Sequence, residues 1–166
     1  MSIAQSLLAE FENELKTTRR FLEAIPKEKL AWRPHEKSMS AGQLGLHIAQ
    51  VPMGVLSMAM EDVGSVPDMS KPREEATSIA DMATALERNA AYVRATLPTI
   101  DDARMMCPVK FMRGEQVVME VSRVGFLRSI MFNHLYHHRG QLGVYLRLLG
   151  VKVPSSYGPS ADESPF

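Results

Sequence analysis

Two histidines, His134 and His138, stand four residues apart in a helical pattern that begins near Arg123 and stops at Gly150. Residues separated by four share one face of an α-helix, so the two imidazoles should project the same way, one turn apart. The other residues on this predicted face are Leu127, Ile130, Met131, Gln141, Leu142, Tyr145, Leu148 and Leu149. Most of them are apolar, which predicts that both histidines point into the core. A buried imidazole needs a hydrogen-bonding partner or a metal ion there.

A third histidine, His47, shares the apolar face of another predicted helix. Three imidazoles from two helices suit zinc, nickel, copper or iron. Three protein ligands also leave one position open for water or substrate, as in catalytic metal sites. His137 is offset by about 60° around its helix, so it is either exposed or a support for the ligands. His35 lies in a loop and is not expected to take part.

Tyr145 and Arg139 are further polar residues close to His134 and His138 in the sequence. Tyr145 lies within about 20° of His134 on the same face, so it could orient a bound group or be an ordinary buried tyrosine. Arg139 points away from the ligands and is expected to form a structural ion pair. The inward faces of the two histidine-bearing helices carry no carboxylate that could act as a general base. That counts against metal-assisted hydrolysis, and no catalytic residue is assigned.

The histidines must be positioned by helices, and the hydrophobic spacing predicts four of them. They run from Ser2 to about Ile25, from Ser40 to about Val63, from Thr77 or Ser78 to Pro98, and from Arg123 to Gly150. In the second helix, Ser40 and Gln43 have the spacing of a capping box, and Pro52 predicts a kink. Between the last two helices, residues 105–121 favour a short hairpin or ordered loop, with a turn at Arg113-Gly114. The prediction is an all-α four-helix bundle with this element before the last helix, as a single domain over residues 1–166.

A second face of the last predicted helix carries three glycines and lies opposite the histidines. Its members are Gly125, Ser129, Phe132, Tyr136, Gly140 and Gly143. Glycine destabilises a helix interior, so this face is expected to meet another helix at short distance. The neighbour would lie in the same subunit or across a dimer interface.

The bulk composition constrains the partners. The chain has 166 residues, of which 45% are hydrophobic and 23% charged, with 19 acidic and 19 basic side chains. This balance argues against a nucleic-acid partner or an acidic membrane surface. A single cysteine, Cys107, excludes an internal disulfide and is expected to be an inert small hydrophobe. Neither a signal peptide nor a membrane span is expected, which predicts a cytoplasmic protein.

Several segments resemble the DinB-like superfamily of bacterial four-helix bundles. The most specific is His137-His138-Arg139-Gly140-Gln141-Leu142, preceded by Asn133-His134. The others are residues 40–49 (Ser-Ala-Gly-Gln-Leu-Gly-Leu-His-Ile-Ala), 30–34 (Leu-Ala-Trp-Arg-Pro) and 146–150 (Leu-Arg-Leu-Leu-Gly). The similarity covers most of the chain.

This resemblance implies that His47, His134 and His138 bind zinc or nickel and that the protein forms a homodimer. Two branches of the superfamily use mycothiol or bacillithiol as co-substrate. By resemblance, the expected function is therefore metal-dependent transfer of a low-molecular-weight thiol to an electrophile. A metal-dependent hydrolase, a non-enzymatic metal-binding stress protein and a bundle with merely hydrogen-bonded histidines remain alternatives.

Overall fold

The computed structural model describes residues 1–68 and 70–164, which are mostly helical with a small sheet. The helices are α1 (Ile3–Glu23), α2 (Ala41–Met60), α3 (Ile79–Thr96), α4 (Asp102–Met106), α5 (Arg123–Phe126) and α6 (His134–Leu148). The strands are β1 (Val63–Ser65), β2 (Pro108–Arg113) and β3 (Gln116–Ser122). Both α1 and α2 pack against α3 and against α6, and the core lies between these four helices. No helix in these residues combines the length and apolar character needed to cross a membrane.

The close contact between α2 and α3 depends on Gly45. A Cβ atom at this position would lie 2.4 Å from Sδ of Met82 and 3.0 Å from Cδ1 of Ile25. Any side chain there would therefore force Met82, and to a smaller extent Ile25, to move within the packed core. The second half of α2 is adapted to Pro52, which removes one backbone hydrogen bond from the helix. Next to it, the backbone N–H of Met53 donates to Oδ1 of the buried Asn89 on α3, at 3.2 Å.

The region before the last helix is a hairpin, as predicted, but it belongs to a three-stranded sheet. Strands β2 and β3 pair antiparallel, and Gly114 provides the positive φ of 59° that their tight turn requires. Strand β1 pairs in parallel with β2, with Gly64 opposite Phe111. The all-α prediction is thus confirmed only in part. A three-residue strand that contains glycine has no periodicity, and its partner lies more than 40 residues away.

The last predicted helix is continuous from Arg123, but its middle is not α-helical. Residues Leu127–Asn133 form a π-helix between α5 and α6. A π-helical turn holds extra residues, so a rotation of 100° per residue does not apply across it. The prediction of a fully buried stripe is wrong at Gln141 and Leu148, which are exposed. The predicted end is confirmed, with Gly150 at a φ of 73° just after the helix.

A buried arginine locks the start of this helix to the end of α2. Arg123 has no exposed surface. Its guanidinium donates to the carbonyl oxygens of Ala59, Arg104 and Glu61 and to a carboxylate oxygen of Asp62. A cation that binds the free carbonyls at a helix C-terminus is favoured by the helix dipole. Helix α2, which carries His47, is thereby tied to the helix that carries the other two histidines.

The glycine-rich face of the last helix is partly covered from within the chain. A Cβ on Gly143 would lie 3.4 Å from Phe21 of α1 and 3.8 Å from Val153 of the C-terminal segment. At Gly140 a Cβ would meet no atom within 4 Å. The expected close helix–helix contact is therefore limited to Gly143, and the C-terminal segment is the other part of the cover. That segment is held by ion pairs from Arg20 and Arg147.

Candidate metal centre

His47 is placed by a helix whose start is well defined. The Ser40 side chain accepts a hydrogen bond from the backbone N–H of Gln43, and the Gln43 side chain accepts one from the Ser40 backbone. This predicted capping box is confirmed. His47 lies two turns further on and faces α6 across the bundle. The other two histidines begin α6 and lie one turn apart, directly after the π-helical segment.

The three imidazoles converge on one point. Nε2 of His134 lies 3.2 Å from Nε2 of His47 and 2.6 Å from Nε2 of His138. A neutral ring nitrogen either donates one hydrogen or accepts at one lone pair, so Nε2 of His134 can satisfy only one of these contacts. Hydrogen bonding alone therefore leaves one of the two nitrogen–nitrogen contacts unsatisfied. A single cation shared by three lone pairs would complete it.

The donor set fits a divalent metal ion. Two imidazole nitrogens bound to zinc at the usual bond length lie roughly 3.3 Å apart in a tetrahedral site. The 3.2 Å contact between His47 and His134 agrees with this spacing, and the 2.6 Å contact with His138 is somewhat shorter. His47, His134 and His138 together could hold a metal ion, since their ligand atoms all lie within 4.8 Å of one another.

The orientation of the His138 ring is set by Gln141. Oε1 of Gln141 lies 2.7 Å from Nδ1 of His138 and accepts the hydrogen that this nitrogen carries. Nε2 is then the unprotonated nitrogen and directs its lone pair at the other two rings. A hydrogen bond of this kind typically orients a metal-binding histidine and raises its basicity.

The surroundings keep the three rings neutral, as metal binding requires. Burial lowers the pKa of His47 to about 4, and the nearby His138 and Arg73 lower it further. Burial is also the main reason that the pKa of His138 is lowered to about 4. The hydrogen bond to Gln141 raises this pKa, but its effect is smaller than that of burial. The pKa of His134 is lowered as well, first by burial and then by His137. All three lone pairs are thus available at neutral pH.

The cluster lines one end of an apolar groove of about 550 Å³. The three histidines are half-buried, so the prediction that they point into the core is confirmed only in part. The groove runs between α2, the sheet and the π-helical segment. Its apolar lining consists of Val51, Gly54, Val55, Met58, Val66, Pro67, Phe111, Val118, Met119, Phe126 and Ile130. A ligand could approach the open side of the histidine cluster through this groove.

The remaining histidines and Tyr145 lie outside the cluster. His137 is exposed and its ring lies 5.0 Å from that of His138. His35 is exposed in a loop, where Nδ1 accepts from the Lys37 backbone. The Tyr145 hydroxyl donates to the carbonyl oxygen of Met39 at 3.2 Å, and the tyrosine is not among the residues that line the groove. Its predicted role in orienting a bound group therefore gains no support.

Two further sequence predictions have different outcomes. Arg139 is buried and pairs with Glu14 of α1, as expected of a structural ion pair. Cys107 is exposed rather than packed as a small hydrophobe, because it follows the short helix α4 at the surface.

Two charged residues of the site were missed by sequence reasoning. Arg73 and Glu74 lie in the segment between β1 and α3 and border a recess of about 160 Å³ together with His47 and Gln50. The Glu74 carboxylate accepts a hydrogen bond from the Gln50 side chain at 2.9 Å. A loop has no periodicity from which its side-chain directions can be read, so no sequence signal placed these residues.

Comparison with known proteins agrees with this architecture. The chain is 26% identical to the uncharacterized protein YrdA of Bacillus subtilis (strain 168) over 157 residues, which cover 94% of this chain and 89% of that protein. It superposes on a DinB-like protein from Bacillus cereus ATCC 10987 with a TM-score of 0.74 at 24% identity, over 94% of this chain and 98% of that one. A DinB-like protein, YjoA, from Bacillus subtilis gives a TM-score of 0.70 at 20% identity, over 92% and 96% of the two chains. A model of the DinB family matches residues 1–165, and the protein therefore belongs to the DinB family.

Proposed function

We propose that this protein is a divalent-metal-dependent enzyme that transfers a low-molecular-weight thiol to an electrophile. The observation that carries the proposal is the half-buried cluster of three histidines at one end of an apolar groove. Three protein ligands leave room for a reactant, and the groove can hold the apolar part of a second one. The proposed ion is zinc or nickel, both of which imidazole binds well.

The reaction joins the thiol sulfur to the electrophilic carbon. The bond from that carbon to the leaving group breaks, the leaving group departs with the electron pair, and the thiol proton passes to solvent. A divalent ion held by His47, His134 and His138 would lower the pKa of a thiol in the open position and so supply thiolate at neutral pH. The chain itself positions the three rings, keeps them unprotonated and offers the second reactant an apolar groove wall.

The test is turnover of chlorodinitrobenzene with a panel of thiols, using protein purified without a histidine tag and loaded with zinc or nickel. Chloride release should require both the metal and a thiol, and the His47→Gln variant should lose it. The exposed His137→Gln variant is the matched control and should retain activity. Thiol-independent turnover, or equal activity in the two variants, would refute the proposal.

A metal-dependent hydrolase is the second candidate, and Glu74 is the observation that favours it. Its carboxylate borders the same recess as His47 and could serve as a general base for a water molecule. Hydrolysis of a nitrophenyl ester without thiol, lost in Glu74→Gln, would favour this reaction over transfer. If metal binds and neither reaction occurs, a non-enzymatic metal-binding protein is the remaining candidate.

We further propose that the protein is a cytoplasmic homodimer. The exposed Val144 and Leu148 support the dimer, since they lie one turn apart on α6 with 59% and 60% of their surface accessible. Size-exclusion chromatography with light scattering measures the mass of the protein assembly directly. A Leu148→Arg variant should elute as a monomer if this face forms the interface, and a monomeric parent protein would refute the dimer.

A further inference from the structure

Gly54 has no evident structural reason to be glycine. It lies inside α2, where glycine destabilises a helix relative to alanine. Its φ is not positive, and a Cβ at this position would meet no atom within 4 Å. Neither the backbone conformation nor close packing therefore requires the missing side chain. Gly54 does line the groove, so its effect is to keep that wall clear.

The groove wall around Gly54 is apolar and partly open to solvent. Val118 on β3 is 39% exposed, and Met58 on α2 is partly buried. Phe111 of β2 and Phe126 and Ile130 of the last helix complete this wall. Exposed apolar surface gathered in one concave site is typical of a ligand-binding groove. Its volume of about 550 Å³ falls within the range of small-molecule sites.

The histidine end of the groove carries a free positive charge. Arg73 lines both the groove and the small recess beside His47. Among the residues that the structure describes, its guanidinium forms no hydrogen bond or ion pair, so it is available to a ligand in the groove. Within residues 1–68 and 70–164, no carboxylate is bound to the guanidinium. A guanidinium of this kind is suited to a carboxylate.

We infer that the groove binds an amphipathic carboxylate, with its anionic group at Arg73 and its apolar chain or ring along Gly54 and Val118. This inference rests on the proposed function, since it names the class of substrate for the same groove. The positive charge of Arg73 favours an anionic group at one end of the ligand, and the apolar wall favours a hydrophobic chain or ring in the rest of it. A neutral alcohol of equal length lacks the contact with Arg73, and an alkylammonium ion is repelled by it.

The experiment measures binding of hexanoate, octanoate and decanoate by calorimetry, with octanol and octylammonium as ligands of matched length. The full chain is titrated as purified and again after removal of metal with a chelator. Affinity should rise about two- to fourfold for each added methylene group, because each one buries apolar surface in a partly open groove. Octanoate should bind more tightly than both matched ligands, in both preparations.

Two pairs of variants locate the binding. Arg73→Gln should weaken the binding of octanoate at least fivefold and leave the binding of octanol unchanged. Arg88→Gln, at an exposed site on α3, should change the affinity for neither ligand. Gly54→Leu should abolish binding of all the ligands, whereas Gly140→Leu, at another helical glycine with open space around it, should preserve it. Equal binding of octanoate and octanol, or no effect of Arg73→Gln, would overturn the inference. Because these ligands are neither thiols nor electrophiles, the result is independent of whether thiol transfer occurs.

Discussion

Replacing Arg139 with methionine should destabilise the protein by about 3–5 kcal/mol, because it leaves the partner of a buried ion pair uncompensated. The Arg139 guanidinium lies 2.5 Å from the Glu14 carboxylate, and the two side chains are only 2% and 12% exposed. It also donates to the hydroxyl oxygens of Thr18 and Tyr157, at 3.2 and 2.7 Å. For a chain of this length, the expected fall in Tm is roughly 6–20 °C.

Urea and thermal unfolding of the metal-free protein measure this effect. Arg19→Met is the matched control, since Arg19 pairs with Glu87 at the surface with both side chains about half exposed. The control should lose less than about 1 kcal/mol. The double variant Glu14→Gln with Arg139→Met should be more stable than Arg139→Met alone, because no buried charge is left unpaired. A loss below about 1 kcal/mol in Arg139→Met would refute the view that this pair fixes α6 against α1.

Three further predictions follow from the site and its supporting helices. His47 and His138 have pKa values of about 4 in the folded metal-free protein, below the ordinary value of 6.5. Between these values the unfolded state binds more protons, so the free energy of unfolding should fall as pH drops from 6.5 towards 4, and less so in a His47→Gln/His138→Gln variant. Identical pH profiles in urea titrations would contradict this. Gln141→Leu should weaken zinc binding about 10- to 100-fold in a competition titration, while the unfolding free energy of the metal-free protein stays nearly the same. An unchanged zinc affinity would show that the His138 ring does not need the hydrogen bond to Gln141. Gly45→Val should cost about 1–3 kcal/mol by urea unfolding, since its side chain would collide with Met82. A neutral result would show that the Met82 side chain moves aside without loss of packing.

The sequence alone was sufficient to predict the features that depend on helical periodicity and on interactions between residues close in the chain. The histidine spacing and the face of α2 predicted correctly that His47 meets His134 and His138. The capping box at Ser40 and the positive φ at Gly150 were also predictable, because each depends on residues within one turn. The binding of a metal by these histidines stays a prediction.

The features that sequence reasoning missed depend on contacts between distant segments. The π-helical segment Leu127–Asn133 follows no local residue signal and changes which side chains share a face. The pairing of β1 with β2 is parallel and distant along the chain. Arg73 and Glu74 reach the site from a loop, so the absence of carboxylates on the inward helix faces was an incomplete guide to its chemistry.

X-ray absorption at the zinc edge is the measurement that tests the central claim most directly. Tag-free protein with one zinc ion per chain should show three imidazole nitrogens at about 2.0–2.1 Å plus one solvent oxygen. His47→Gln should remove one imidazole from the coordination shell, whereas His137→Gln should leave the spectrum unchanged. Zinc bound with fewer than three imidazoles in the parent protein, or a spectrum unaffected by His47→Gln, would contradict the proposed centre.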